Sequence, residues 1–336
     1  MAVIHDVMPA FELFQPESTA DAVALLSRYS PTAWVMAGGM DSFDWLKDRI
    51  KKPKVIVDLG MINELRGVKD AGGGLEIGAM TTLTTIANDA MVKERFPLLA
   101  EAALIVASPQ IRNQGTLGGN VAQDARCWYY RAGWPCYRAG GNICYADTPT
   151  AINREHAIFN ADRCVAVNPS DTAPALIALD AQFVIKNGDD ERVVNAEEFF
   201  IGPGIDITKL TSLRPGDLLT AIRIPNTFAG KAHYFEKVRD RQVWDFALIN
   251  IAASMNMSGS TIGDARMVVN GVAATPYRLH GVEAFIKGKA RDKATADAAA
   301  DMAVDGAVTL RHNGYKVPLM KALVKRAIRG EAEWTS

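Results

Sequence analysis

The spacing of apolar positions changes several times along the chain. After Ser18-Thr19-Ala20-Asp21, a helix start, Ala22, Val23, Leu25 and Leu26 lie largely on one helical face. Ala33 to Ala37 is an unbroken apolar run of strand length. It ends in Gly38-Gly39-Met40-Asp41-Ser42. A short helix over 43–47 and a second buried strand over 54–59 complete a βαβ-like unit with a glycine turn at a strand end. A hairpin is expected within 67–79, turning at Gly72-Gly73-Gly74. Helices are expected over 83–90 and 98–106, with Pro97 suited to the first turn of the second. Arg112 to Asn120 is too rich in glycine for a helix and reads as a loop.

Residues 124–163 show little periodicity, and an irregular stretch of that length inside a compact protein needs an organiser. Beyond it, a helix over 172–179 and strands over 181–186, 192–195 and 218–224 are expected. Residues 225–230 read as a linker. Strands near 234–238, 248–254 and 265–272 then precede helices near 282–286, 294–310 and 319–328, an α+β layer.

The chain has 336 residues, a prior of about two domains at ~150 residues each. Lys plus Arg is 37 against 38 for Asp plus Glu, which excludes the basic excess of a general nucleic-acid binder. No apolar run reaches the ~18 residues of a membrane span. The N-terminal sequence has no basic stretch leading into an apolar one, so a cytoplasmic location is expected, unless a partner's signal exports the folded complex.

Candidate chemistry is concentrated in a few places. The turn at Gly38-Gly39 offers successive N–H groups that suit a pyrophosphate, or it is simply a tight turn. It is not the G-x-G-x-x-G fingerprint of a dinucleotide-binding fold. Gly115-Thr116-Leu117-Gly118-Gly119-Asn120 combines a hydroxyl, glycines and a carboxamide, again a polar cradle or a sharp turn. Asp171, ahead of a helix, either caps it or accepts hydrogen bonds from sugar hydroxyls. Lys237 alternates with apolar neighbours on a strand and is free to point at a ligand.

The four cysteines, Cys127, Cys136, Cys144 and Cys164, are spaced C-x8-C-x7-C-x19-C. This is neither a zinc-ribbon nor a ferredoxin spacing, but four thiols suffice for one 4Fe–4S cluster. Trp128, Tyr129, Tyr130, Trp134, Tyr137 and Tyr145 crowd the same stretch and would exclude water from such a centre. Unligated buried cysteines beside core aromatics are the alternative. The histidines, His5, His156, His233, His280 and His312, are scattered and suggest no ligand set.

Taken in order, Ala37-Gly38-Gly39-Met40-Asp41, Arg112 to Asn120, Pro169-Ser170-Asp171, and Glu236-Lys237-Val238-Arg239 with Asp245-Phe246-Ala247 resemble the FAD-binding medium subunits of molybdenum hydroxylases. The cysteine insertion resembles the branch carrying an extra 4Fe–4S cluster, as in bacterial aldehyde oxidoreductases and 4-hydroxybenzoyl-CoA reductases. The resemblance implies an α+β fold. A two-part FAD-binding module of the vanillyl-alcohol-oxidase type would span 1–226, divided into 1–60 and 61–226, with the insertion at about 124–164. A smaller α+β domain would span 231–336.

By the same resemblance, Val35, Met36, Ala37, Gly38, Gly39, Met40, Asp41, Ser42 and Phe43 would wrap the FAD pyrophosphate. Thr116, Gly118, Gly119 and Asn120 would form the other side of the cradle. Asp171 would bind a ribityl hydroxyl, and Leu219 and Lys237 would lie near the flavin ring. Cys127, Cys136, Cys144 and Cys164 would ligate the cluster. The implied partners are a small 2Fe–2S subunit, a large molybdenum-cofactor subunit that oxidises an aldehyde, and an external acceptor such as dioxygen or a quinone. No catalytic residue for substrate chemistry is expected on this chain. A self-contained flavin oxidase and a zinc-stabilised scaffold are the rival readings.

Overall fold

The computed structural model describes residues 8–330. Its strands form three sheets. β1 (Glu12–Phe14), β2 (Ala33–Met36) and β3 (Val55–Asp58) make a parallel sheet with β3 in the centre. β4 (Val68–Asp70), β5 (Gly74–Gly78), β6 (Gln182–Asn187), β7 (Asp190–Asn195) and β8 (Leu218–Pro225) make an antiparallel sheet in the order β4-β5-β8-β6-β7. β9 (Ala232–Val238), β10 (Ile249–Ser258), β11 (Thr261–Asn270) and β12 (Tyr277–Arg278) make a third, antiparallel sheet in the order β12-β11-β10-β9.

The first sheet follows directly from its sequence. The Ser18 hydroxyl accepts from the Asp21 N–H and starts the helix Thr19–Tyr29, whose Ala22, Val23 and Leu26 are buried with Val55 and Val57 of β3. As the central strand, β3 buries Val55, Ile56 and Val57 together, which is why its sequence is continuously apolar. The run over 33–37 is not a fully buried strand: all of β2 is half-exposed. Trp34, Val35 and Ala37 of this run lie on the wall of a cleft.

Two more expectations need correction. Arg112 to Asn120 is not a loop but two short helices, Pro109–Gln114 and Leu117–Ala122, broken at Gly115-Thr116. Ser108 and Thr116 each supply a hydroxyl cap, which overrides the low helix propensity of Gly118 and Gly119. The helix expected over 294–310 runs only over Lys293–Met302, and the chain then turns through Gly306 at a φ of 77°.

The β10 residues Ile249 to Met255 are all buried. The helix Lys316–Arg329 packs on β10, and the helix Thr172–Ala178 packs on both β10 and β11. Covered in this way, the strand needs no polar alternation. The segment over 124–163 remains largely irregular but is anchored. Ile158 and Phe159 join the core of the third sheet. Their N–H groups both donate to the carbonyl of Val272, at 2.8 and 3.1 Å. The fully buried Lys316 ammonium donates to the carbonyls of Glu155, His156 and Gly271 at 3.0, 2.9 and 2.5 Å.

Candidate functional site

A cleft of about 530 Å³ opens between the first sheet, the broken helix pair and the third sheet. It is lined by Val35, Ala37, Gly38, Gly39, Met40, Asp41, Ser42, Phe43, Thr116, Gly118, Gly119, Asn120, Asp171, Leu219 and Lys237. Met36 alone of the non-cysteine candidates does not reach this wall. Residues separated by some 200 positions in sequence thus share one concavity, of the size expected for a cofactor site.

The first turn supplies hydrogen-bond donors. Among the described residues, the N–H groups of Gly38, Gly39, Met40, Asp41 and Ser42 make no hydrogen bond to protein. Five consecutive donors beside a cleft, running into the helix Ser42–Lys47, fit an anionic group such as a pyrophosphate. The glycines have separate jobs. Gly39 has a φ of 76°, in the left-handed region. Gly38 lies so close to the second turn that a Cβ there would stand 1.9 Å from the carbonyl oxygen of Gln114. Gly118 abuts Ala79, where a Cβ would meet the Ala79 carbonyl oxygen and side chain at 2.9 Å. The glycines therefore bring the two turns together as well as admitting a ligand.

Side chains lock this cradle from behind. Thr116 Oγ1 accepts from the Gly119 N–H at 3.1 Å. Asn120 Oδ1 accepts from the hydroxyls of Ser170 and Thr172, both at 2.7 Å, tying the second turn to the Pro169-Ser170-Asp171 stretch. Asp171 occupies the N-cap position of the helix Thr172–Ala178 but does not cap it. Its two oxygens instead accept from Lys237 Nζ at 2.6 Å and Asn250 Nδ2 at 2.9 Å. Lys237 thus lies on the cleft wall but spends its charge on Asp171.

Asp41 joins the cradle to the cysteine segment. One of its oxygens accepts from Arg131 at 2.5 Å and pairs with Arg126 at 2.9 Å. The other accepts from Trp45 Nε1 at 3.1 Å and the Asp124 N–H at 3.2 Å. Arg126 also lines the cleft, stacks 4.5 Å from the Phe246 ring, and has a buried Nε without a protein partner. It adjoins Cys127, the signal by which sequence reading could have found it. At the mouth, the Trp244 N–H donates to the Ala107 carbonyl at 2.9 Å, and both residues hold positive φ.

All four cysteines are free. Cys127 and Cys164 pack around Ala125, Ala166, Leu210 and Ala274, while Cys136 packs with Trp45 and Tyr130. Burial pushes the Cys127 thiol up to about 11, opposed by the N–H groups of Tyr130 and Tyr129, with Cys164 and Cys144 adding to the rise. Burial likewise raises Cys164, and Cys144 and Cys136 add to it. Cys164 therefore lies within electrostatic reach of Cys127, Cys136 and Cys144, and Cys127 within reach of Cys144. Among the described residues, no three His, Cys, Asp or Glu side chains are placed to hold a single metal ion. His156, absent from the sequence candidates, places Nε2 3.3 Å from Cys127 Sγ.

The family described as the FAD binding domain in molybdopterin dehydrogenase matches residues 9–227, and the carbon monoxide dehydrogenase flavoprotein C-terminal domain matches 233–330. The carbon monoxide dehydrogenase medium chain of Hydrogenophaga pseudoflava is 32% identical over 98% of both chains. The aldehyde oxidoreductase FAD-binding subunit of Escherichia coli is 35% identical over 82% of this chain and 86% of its own. A solved carbon monoxide dehydrogenase from Hydrogenophaga pseudoflava superposes with a TM-score of 0.75 at 30% identity, over 96% of this chain and 97% of that one. With its FAD-binding module followed by this C-terminal layer, the chain belongs to the FAD-binding medium subunits of the molybdenum hydroxylases.

Proposed function

We propose that this chain is the electron-transfer subunit of a three-subunit molybdenum hydroxylase that oxidises an aldehyde. It would hold FAD in the cleft and a 4Fe–4S cluster on Cys127, Cys136, Cys144 and Cys164. A small 2Fe–2S subunit would deliver electrons from a large molybdenum subunit, and an external acceptor would take them. When bound, the two groups supply reversible one- and two-electron transfer.

The observation that carries this reading is Asp41. It belongs to the glycine turn, yet it is held by Arg126 and Arg131 on either side of Cys127. The flavin cradle and the cysteine segment are thereby built as one unit, as two redox groups in sequence require. The unpartnered N–H groups of 38–42 would hold the pyrophosphate, with the Arg126 guanidinium beside them. Lys237, neutralised by Asp171, would add little net charge near the ring. A cluster is larger than a single ion, so its ligands stand further apart than those of a zinc site.

Partner docking has a candidate surface. Trp128, Trp134, Ile143 and Ile152 of the cysteine segment are exposed large hydrophobics. These side chains would be available to a docked 2Fe–2S subunit, whose electrons would enter beside the cysteines.

Two measurements test the reading. Iron, acid-labile sulfide and flavin analysis of the purified chain should find all three; zinc in place of iron removes the cluster. An aldehyde and an artificial acceptor should give turnover only when the other subunits are added. Comparable turnover by the lone chain would favour a self-contained oxidase.

A further inference from the structure

We propose that His156 is a positioning residue for the cysteine centre, donating a hydrogen bond from Nε2 to the Cys127 sulfur and so raising the reduction potential of the cluster held there. This rests on the cluster reading given above.

The contact is built rather than incidental. The imidazole is buried, at 5% exposure, with Nε2 3.3 Å from Cys127 Sγ. Its backbone is fixed from three directions. The His156 N–H donates to the Asn153 carbonyl at 3.2 Å, and its own carbonyl accepts from Lys316 Nζ at 2.9 Å and Asn313 Nδ2 at 3.0 Å. With the backbone so anchored and the imidazole buried, the ring has little room to turn away from the sulfur.

The tautomer follows from the surroundings. Nδ1 is buried with no hydrogen-bond partner. A proton there would be a buried donor without an acceptor, whereas a proton on Nε2 meets the sulfur. A cysteine that ligates metal is a thiolate, which accepts such a bond. Donation draws electron density from the sulfur, and the effect is worth most in the reduced, more negative state. The potential of a cluster held there would therefore rise. The N–H groups of Tyr130 and Tyr129 also act on the Cys127 sulfur from the backbone, against the effect of its burial.

The test uses the full chain, in its complex, as wild type, His156→Leu and His156→Gln. Iron and sulfide are measured first, then the cluster is titrated potentiometrically with EPR detection of the reduced state. Full iron in both variants, a lower midpoint in the Leu variant and a near-wild-type midpoint in the Gln variant, whose amide keeps an N–H donor, support the proposal. An unchanged midpoint in the Leu variant, equal falls in both, or loss of iron from both overturns it. If the Leu variant does not fold, pulsed EPR of wild type labelled with ¹⁵N-histidine decides. A weak nitrogen coupling supports the N–H···S bond; no coupling, or the strong coupling of a ligand, overturns it. Absence of iron from the wild type defeats the cluster reading itself and is seen before any variant is compared.

Discussion

The carboxylate of Asp171 and the ammonium of Lys237 meet at 2.6 Å with their side chains only 4% and 1% exposed. Asp171 heads the helix Thr172–Ala178, while Lys237 lies on β9 directly opposite Asn250 of β10. Both strand residues reach the same carboxylate, so the third sheet closes one side of the cleft through this triad.

Removing one member strands the other. Lys237→Met leaves a buried carboxylate with Asn250 as its remaining partner, and breaking a buried pair costs about 3–5 kcal/mol. Lys237→Met combined with Asp171→Asn removes both charges and should recover part of that loss. Denaturant unfolding of the two single variants and the double variant measures the coupling. A loss in the double variant equal to the sum of the singles would mean that the pair is not coupled.

The two adjacent glycines of the first turn should fail differently. At Gly39, a Cβ would meet the Phe43 ring at 2.6 Å, and the φ of 76° is unsuited to a β-branched residue. Gly39→Val should abolish flavin retention, read as the ratio of flavin to protein absorbance. At Gly38 the obstacle is backbone, the Gln114 carbonyl oxygen. Gly38→Ala should therefore separate the two turns and lower both flavin content and thermal stability. Gly119→Ala meets only Thr116 Oγ1 at 3.0 Å and Ala37 Cβ at 3.5 Å, and should be the mildest of the three.

The elements and the cleft were legible in the sequence to different degrees. The helix at Thr19 and the strand at Val55 announce themselves through a Ser cap and an unbroken apolar run. The helix Leu117–Ala122 does not, because its stability comes from the Thr116 cap and burial of Leu117 and Val121, not from propensity. The gathering of Gly39, Thr116 and Asp171 on one cleft is implied only by the family that the motif order resembles. The engagement of Asp171 by Lys237 and Asn250, and of Asp41 by Arg126 and Arg131, is not. These are long-range pairings without periodicity. His156 escaped for the same reason, standing alone in an irregular segment.

Lys316 should give stability a pH dependence of definite sign. Burial pushes its ammonium from 10.5 down to about 7, so between those values the unfolded chain holds a proton that the folded chain has released. Stability from this group therefore rises with pH across that window. From about pH 7 to about pH 9 the gain is roughly 2 kcal/mol at 1.36 kcal/mol per unit, because the lysine is still half protonated at the lower end. Lys316→Met removes the titrating group and leaves the carbonyls of Glu155 and Gly271 without this donor, while the His156 carbonyl keeps Asn313. The stability difference between wild type and variant should widen as pH rises. A difference constant across the window would mean that the lysine titrates normally.

Cys136→Ser should separate metal binding from flavin binding. Cys136 is the most buried of the four thiols, packed with Trp45 and Tyr130, and a serine hydroxyl is a poor iron ligand. If the four cysteines hold the proposed cluster, iron and its broad visible absorption should be lost. Because metal binding in an irregular segment is also folding energy, residues 124–163 should become sensitive to limited proteolysis. The flavin should be weakened but retained, since the unpartnered N–H groups of 38–42 and the Thr116 cap do not involve cysteine. The weakening travels by one route: Trp45 packs with Cys136 and also donates to Asp41, which Arg126 and Arg131 hold from the loosened segment. Asp41→Asn should reproduce that partial loss of flavin with iron intact. If Cys136→Ser strips flavin completely while Asp41→Asn leaves it at wild-type stoichiometry, the two sites communicate by some path other than Asp41.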